Sequence, residues 1–171
     1  MKYRISLVAW MLCASIVAAQ ETKSVYPPMP QAFSSFGAAV SDGYVYVYGG
    51  HVGKTHTYST EAVTGKFRRL HLAKPTKWEE LPAGVGMQGL ALVAHGGKIY
   101  RIGGMQPRNK VGDPSDNISL ATCARFDPKV GNWEALPDLP AGRSSHDATV
   151  VGDTIVVVGG WQMKGKGEKS T

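Results

Sequence analysis

Three apolar runs that each stop on a pair of glycines constrain this chain more than any other feature. They are Tyr44-Val45-Tyr46-Val47-Tyr48-Gly49-Gly50, Ile99-Tyr100-Arg101-Ile102-Gly103-Gly104 and Ile155-Val156-Val157-Val158-Gly159-Gly160. The first glycines stand at 49, 103 and 159, giving steps of 54 and 56 residues. A near-constant step of that size, about 50 residues, is the mark of a repeated unit that buries its apolar faces against its neighbours.

The register extends well beyond the glycines. Placing Pro30 on Pro140 aligns Ser34-Ser35 with Ser144-Ser145, Ala38 with Ala148, Val40 with Val150 and Gly49-Gly50 with Gly159-Gly160, without a gap. Upstream of the later glycine pairs, Trp78-Glu79-Glu80-Leu81-Pro82 returns as Trp133-Glu134-Ala135-Leu136-Pro137. Each recurring type has a physical role. Apolar runs such as Ile155 to Val158 suit strands buried on both faces. A glycine pair allows a sharp turn and a close backbone approach that a Cβ would obstruct. Trp78 and Trp133 can fill the wedge between units, and the Pro-rich stretch from Pro137 to Pro140 ends one strand and passes the chain onward.

These residues resemble the kelch family. The third copy carries Phe126-Asp127-Pro128, Trp133, Leu136-Pro137, Arg143, His146 and a β-run ending in Gly159-Gly160. The first copy lacks the Trp and has Phe33 where the third has Arg143, and the second has Met87 there. The resemblance covers Val25 to Trp161. It implies an all-β fold, a kelch-type β-propeller that is incomplete, with about two full blades plus partial blades. Inner strand pairs are expected around residues 34 to 50, 88 to 104 and 146 to 160, and outer pairs near 56 to 81 and 119 to 136. After Gly160 only eleven residues remain, so the third blade is expected to lack its outer pair. Tyr26-Pro27-Pro28-Met29-Pro30 aligns with Leu136 to Pro140 and is expected to begin on an outer strand. Such an open arc is expected to self-associate through its blade edges unless they are covered.

Ahead of the repeats, Lys2 and Arg4 precede an apolar stretch from Ile5 to Val17, and Val17-Ala18-Ala19 offers small residues for cleavage. The organisation expected is a signal peptide over 1–19 and a partial propeller domain over 20–171, in a secreted or periplasmic protein. The stretch is short for a membrane span of about 20 residues, so no stable span is expected after cleavage. Cleavage also removes Cys13 and leaves Cys123 as the sole thiol, a buried small side chain rather than a nucleophile. The formal charge of +6 falls to +4 with Lys2 and Arg4 gone. No basic run interleaves with aromatics, so no nucleic-acid partner is expected.

By resemblance, ligands bind on the face formed by the loops after each glycine pair and the loops entering each blade. Those segments are His51 to His56, Met105 to Ser119 and Trp161 to Thr171, joined by Arg143. Candidate ligand-binding residues there are Arg143, Arg108, Lys54, His51 and Lys164, competing with a reading as solvated loop charges and structural hydrogen bonds. A guanidinium offers a planar fork to a carboxylate or phosphate. His51 and His56 have no obvious third ligand, so neither a metal nor any other cofactor is assigned. Asn117-Ile118-Ser119 is a glycosylation sequon.

Two functional readings follow from the resemblance. One is a noncatalytic binding module for a carbohydrate or protein. The alternative is an enzyme similar to the periplasmic kelch mutarotases that act on sialic acid, although no catalytic acid or base can be assigned. A third, resemblance to galactose oxidase, needs a crosslinked Cys-Tyr pair, and no matching motif surrounds Cys123. Enzymatic status is left open.

Overall fold

The computed structural model describes residues 25–171; the expected signal segment 1–19, with Cys13, lies outside them. Among the described residues are twelve strands, joined by turns and one short 3-10 turn at Thr60–Ala62. The first antiparallel sheet is a meander of β1 (Gly37–Ser41), β2 (Tyr44–Tyr48), β3 (Phe67–His71) and β4 (Glu79–Leu81). The second contains β5 (Ala91–His95), β6 (Lys98–Ile102), β9 (Cys123–Asp127) and β10 (Asn132–Leu136) in that order. Between β6 and β9 a small ribbon is inserted, β7 (Met105–Pro107) paired with β8 (Asn117–Ser119). The third sheet holds only β11 (Asp147–Val151) and β12 (Thr154–Val158). Two complete blades and the inner half of a third make an incomplete propeller.

Local sequence explains the blades. Alternating Tyr and Val in β2 suits a pleated strand, and Asp42-Gly43 closes the β1–β2 hairpin with both residues at positive φ (48° and 77°), the conformation of the two-residue turn that matches strand twist. The core lies between blades. Tyr46, Tyr48, Phe67, Met87, Leu90, Leu92, Ile99 and Phe126 form one buried cluster joining the first two sheets, with Trp133 packed against it. On the opposite face of β5, Ala91 and Val93 join Ile102, and the third sheet covers them with Ala148, Val150, Ile155 and Val157. The period-2 alternation of β5 thus serves two interfaces at once.

Backbone bonds near the glycine pairs repeat from blade to blade. Gly50 N–H donates to the Met87 carbonyl and Gly104 N–H to the Arg143 carbonyl, both at 2.8 Å. Next to them, Gly89 N–H reaches the Ser35 carbonyl and Ser145 N–H the Gly89 carbonyl, both at 2.7 Å. Ser34 with His51, Gln88 with Met105 and Ser144 with Trp161 form three equivalent bridges.

Four expectations are refined. Tyr26 to Pro30 forms no strand; its Pro27 carbonyl instead accepts the Trp78 indole N–H at 3.3 Å, as the Pro82 carbonyl accepts that of Trp133 at 3.0 Å. The outer pairs begin later than expected, at Phe67 and Cys123, because residues 56–66 form the loop containing the 3-10 turn. The segment Met105 to Ser119 is a hairpin rather than a plain loop. In β12 one face packs on the second blade, whereas Val158 on the other face is 63 % exposed, because no described element covers it.

Candidate functional site

The three post-glycine loops adjoin one another. Asn109, in the turn of the β7–β8 ribbon and 7 % exposed, donates through Nδ2 to the Tyr58 carbonyl at 2.6 Å and accepts Asp116 N–H at 3.0 Å. Its own carbonyl takes Thr60 N–H at 2.9 Å. One side chain and its backbone therefore fasten the second loop onto the first. The third loop joins the ribbon through Ser119 N–H to the Met163 carbonyl at 2.9 Å, Met163 N–H to Ser119 Oγ at 2.9 Å, and an Ile118–Lys164 bridge.

Where the first loop meets the segments entering the first and second blades lies a cavity of about 120 Å³, lined by Ser34, Ser35, His51, Thr55, His56, Tyr58 and Gln88. His51 is buried, and its Nε2 lies 3.0 Å from the Lys54 carbonyl. A carbonyl can only accept, so Nε2 is the protonated nitrogen of this contact, and in the tautomer it selects Nδ1 is an acceptor. That Nδ1 is buried with no partner, and so is Oε1 of Gln88. Buried polar atoms without partners are costly, about 1–3 kcal/mol each. Here the two residues that carry these atoms line one small cavity, an arrangement complementary to a ligand that brings hydrogen-bond donors.

The expected site residues are only partly brought together. His51 lines the cavity, and the Lys54 carbonyl orients its ring while the Lys54 side chain is exposed. Arg108 faces Asp116 in a two-pronged ion pair, Nε–Oδ2 at 3.1 Å and Nη2–Oδ1 at 2.9 Å, and Lys166 N–H completes the carboxylate's shell at 2.8 Å. The Arg108 guanidinium, with the Lys166 amide, holds the Asp116 carboxyl below its ordinary range. Lys164 is exposed beside Ile118. Arg143 lines a separate hollow with Leu139, Pro140, Val157 and Gly160 at the open side of the third blade. His56 shares the His51 cavity in a left-handed backbone conformation (φ 62°), and among the described residues no group of three or more metal-ligating side chains forms. Gln88 and Asn109 were not singled out from sequence. Gln88 occupies the repeat position of Ser34 and Ser144, so a polar side chain there was the one available signal.

Two four-stranded meanders, repeating glycine pairs and a loop face define a chain of propeller blades. A family model described as "Kelch motif" matches residues 32–63, spanning β1, β2 and the His51 loop. The chain is 29 % identical over 147 residues to "Kelch-like protein terF" of Aspergillus terreus, covering 84 % of this chain and 31 % of that protein. It is 29 % identical over 165 residues to "N-acetylneuraminate epimerase" of Pasteurella multocida, covering 94 % of this chain and 39 % of the relative. The solved structure of YjhT superposes with a TM-score of 0.63 at 23 % identity, over 82 % of this chain and 38 % of that one. The chain thus carries a kelch motif on a propeller fold and is similar to these proteins, and it spans less than two fifths of each of their lengths. Among the described residues no helix is long and apolar enough to cross a membrane.

Proposed function

We propose that this chain is an interaction module whose loop face recognises a carbohydrate through donor hydroxyl groups. The observation that carries the reading is that His51 and Gln88, whose Nδ1 and Oε1 are buried without partners, line one cavity beside the first loop. Neighbouring sugar hydroxyls supply two donors at short separation, and the Tyr58 ring beside His51 (centroids 6.2 Å apart) offers an apolar surface for a pyranose. The Lys2–Ala19 segment supports export to a compartment where glycans are met. The test is a glycan array followed by calorimetry on the hits, with His51→Phe as the variant. Saturable binding of a neutral or acidic sugar, weakened roughly tenfold or more by that substitution, is expected from loss of one buried hydrogen bond. Protein-only binding, or sugar binding indifferent to His51→Phe, overturns it.

A second reading, an acidic-sugar epimerase, is favoured by the similarity to N-acetylneuraminate epimerase over 94 % of this chain. Anomer exchange requires a positioned proton donor and acceptor, and the described residues assign neither. Proton NMR of freshly dissolved N-acetylneuraminate decides it: faster equilibration of the anomers with the protein present supports the enzyme, and an unchanged rate removes it.

A further inference from the structure

The repeat register provides an internal control for one side chain. Two residues before the first glycine of each pair stand Val47, Arg101 and Val157, so the second blade places a permanent cation where the other two use valine. Arg101 is only 8 % exposed. Its Nη1 donates to the Tyr48 hydroxyl at 2.8 Å, and that hydroxyl donates to the Val85 carbonyl at 2.9 Å. The guanidinium also lies over the rings of Tyr48 and Trp133, 5.2 and 5.5 Å from their centroids. Its Nε is buried without a partner.

The other arginines of the strands are paired. Arg68, 3 % exposed, meets Glu80 at 2.6 Å, Arg69 meets Glu79 at 2.8 Å, and Arg125 meets Glu134 at 2.6 Å. Among the described residues Arg101 has no carboxylate within ion-pair distance. Tyr48 is not its counter-charge either, because burial, only partly offset by Arg101, raises the phenol above its ordinary value and keeps it neutral. A buried cation lacking a compensating charge is strongly unfavourable unless something else neutralises it, and ring faces recover only a small part of that cost.

Beside Arg101 is a hollow of about 360 Å³ between the β4–β5 connection and the outer half of the second blade, lined by Val85, Ala124, Trp133 and Leu136. Gly84 borders it, and a Cβ there would stand 2.5 Å from the Tyr48 hydroxyl and 3.2 Å from Arg101 Nη1. A side chain at 84 would press on that pair. Asp138 at the same hollow repels an anion in proportion to its charge, so it disfavours a doubly charged phosphate more than a monocarboxylate. We infer that this inter-blade hollow is a binding site for a small monocarboxylate with an apolar body, its carboxylate paired with Arg101 and its apolar part against Trp133.

Benzoate is a suitable probe, with benzamide as its neutral counterpart, and the variant is Arg101→Val, the residue that the other two blades use at this register. Calorimetry and proton–nitrogen NMR of the arginine Nε–H groups are read together. Expected are saturable benzoate binding, a shifted Arg101 Nε–H resonance, and binding roughly 10- to 100-fold weaker for benzamide and for Arg101→Val, the range for a charge-assisted hydrogen bond. Absence of benzoate binding, equal binding of benzamide, or undiminished binding by Arg101→Val overturns the inference. Should Arg101→Val fail to fold, the Nε–H titration of the unaltered chain decides the matter, since a resonance indifferent to benzoate is also a refutation. His51→Phe leaves this binding intact, so the outcome is separate from that of the loop-face cavity.

Discussion

The indole N–H of Trp133 donates to the carbonyl of Pro82, 51 residues earlier, at 3.0 Å. The bond ties the outer strand of the second blade to the segment leaving the first. The same ring lies 5.0 to 5.5 Å from those of Phe67, Phe126 and Tyr48, so one side chain supplies both the polar tie and the aromatic wedge between blades.

Trp133 is therefore expected to separate these two contributions on mutation. Trp133→Phe keeps a ring in the cluster and loses the hydrogen bond, costing about 1 kcal/mol in addition to the smaller ring area. Trp133→Ala vacates the wedge and costs about 3–5 kcal/mol. Urea unfolding followed by circular dichroism measures both. Equal effects from the two substitutions would show that the ring itself contributes little.

Gly103 and Gly159 hold the same repeat position with different neighbours. Both have positive φ, 55° and 73°, but a Cβ on Gly103 would stand 2.5 Å from the Arg143 carbonyl, whereas one on Gly159 meets nothing within 4 Å. Gly159→Ala is expected to cost only the left-handed strain of about 1–2 kcal/mol. Gly103→Ala adds an overpacking cost of about 1–3 kcal/mol. Urea midpoints of the two variants are the measurement, and a Gly159→Ala effect as large as that of Gly103→Ala would contradict the contact argument.

Two carboxylates make stability acid-sensitive. Asp116 is held below its ordinary range first by Arg108 and then by the Lys166 amide, and Asp127 first by Lys98 and then by the Lys129 amide. Their folded values lie below the unfolded ones, so the unfolded chain binds more protons in acid. The contribution is complete above the unfolded value, about pH 4, and is lost as pH falls through the depressed folded values. Thermal melts between pH 7 and 2 are expected to show a shallower acid limb in the Asp116→Asn, Asp127→Asn double variant. An unaltered limb would assign acid sensitivity to other groups.

Blade count and strand order were legible in the sequence because they rest on local signals. Each glycine pair ends a strand, each Trp-x-x-Leu-Pro stretch marks an outer strand, and the spacing between them leaves little freedom in an antiparallel meander. His51 was legible as a candidate for the same reason, since it follows Gly50 directly. Tertiary structure decided what those side chains meet. Arg108 carried the charge expected of a ligand-binding residue, yet the turn of the β7–β8 ribbon brings Asp116 onto it. Gln88 faces His51 from the following blade, and Arg101 meets Tyr48 and Trp133 from positions 53 residues before it and 32 after it. Chain periodicity fixes which way a side chain points from its own strand. Its partners come from other strands, some in the same blade and some in the next, and only packing those elements together determines whether a buried charge or lone pair finds its complement.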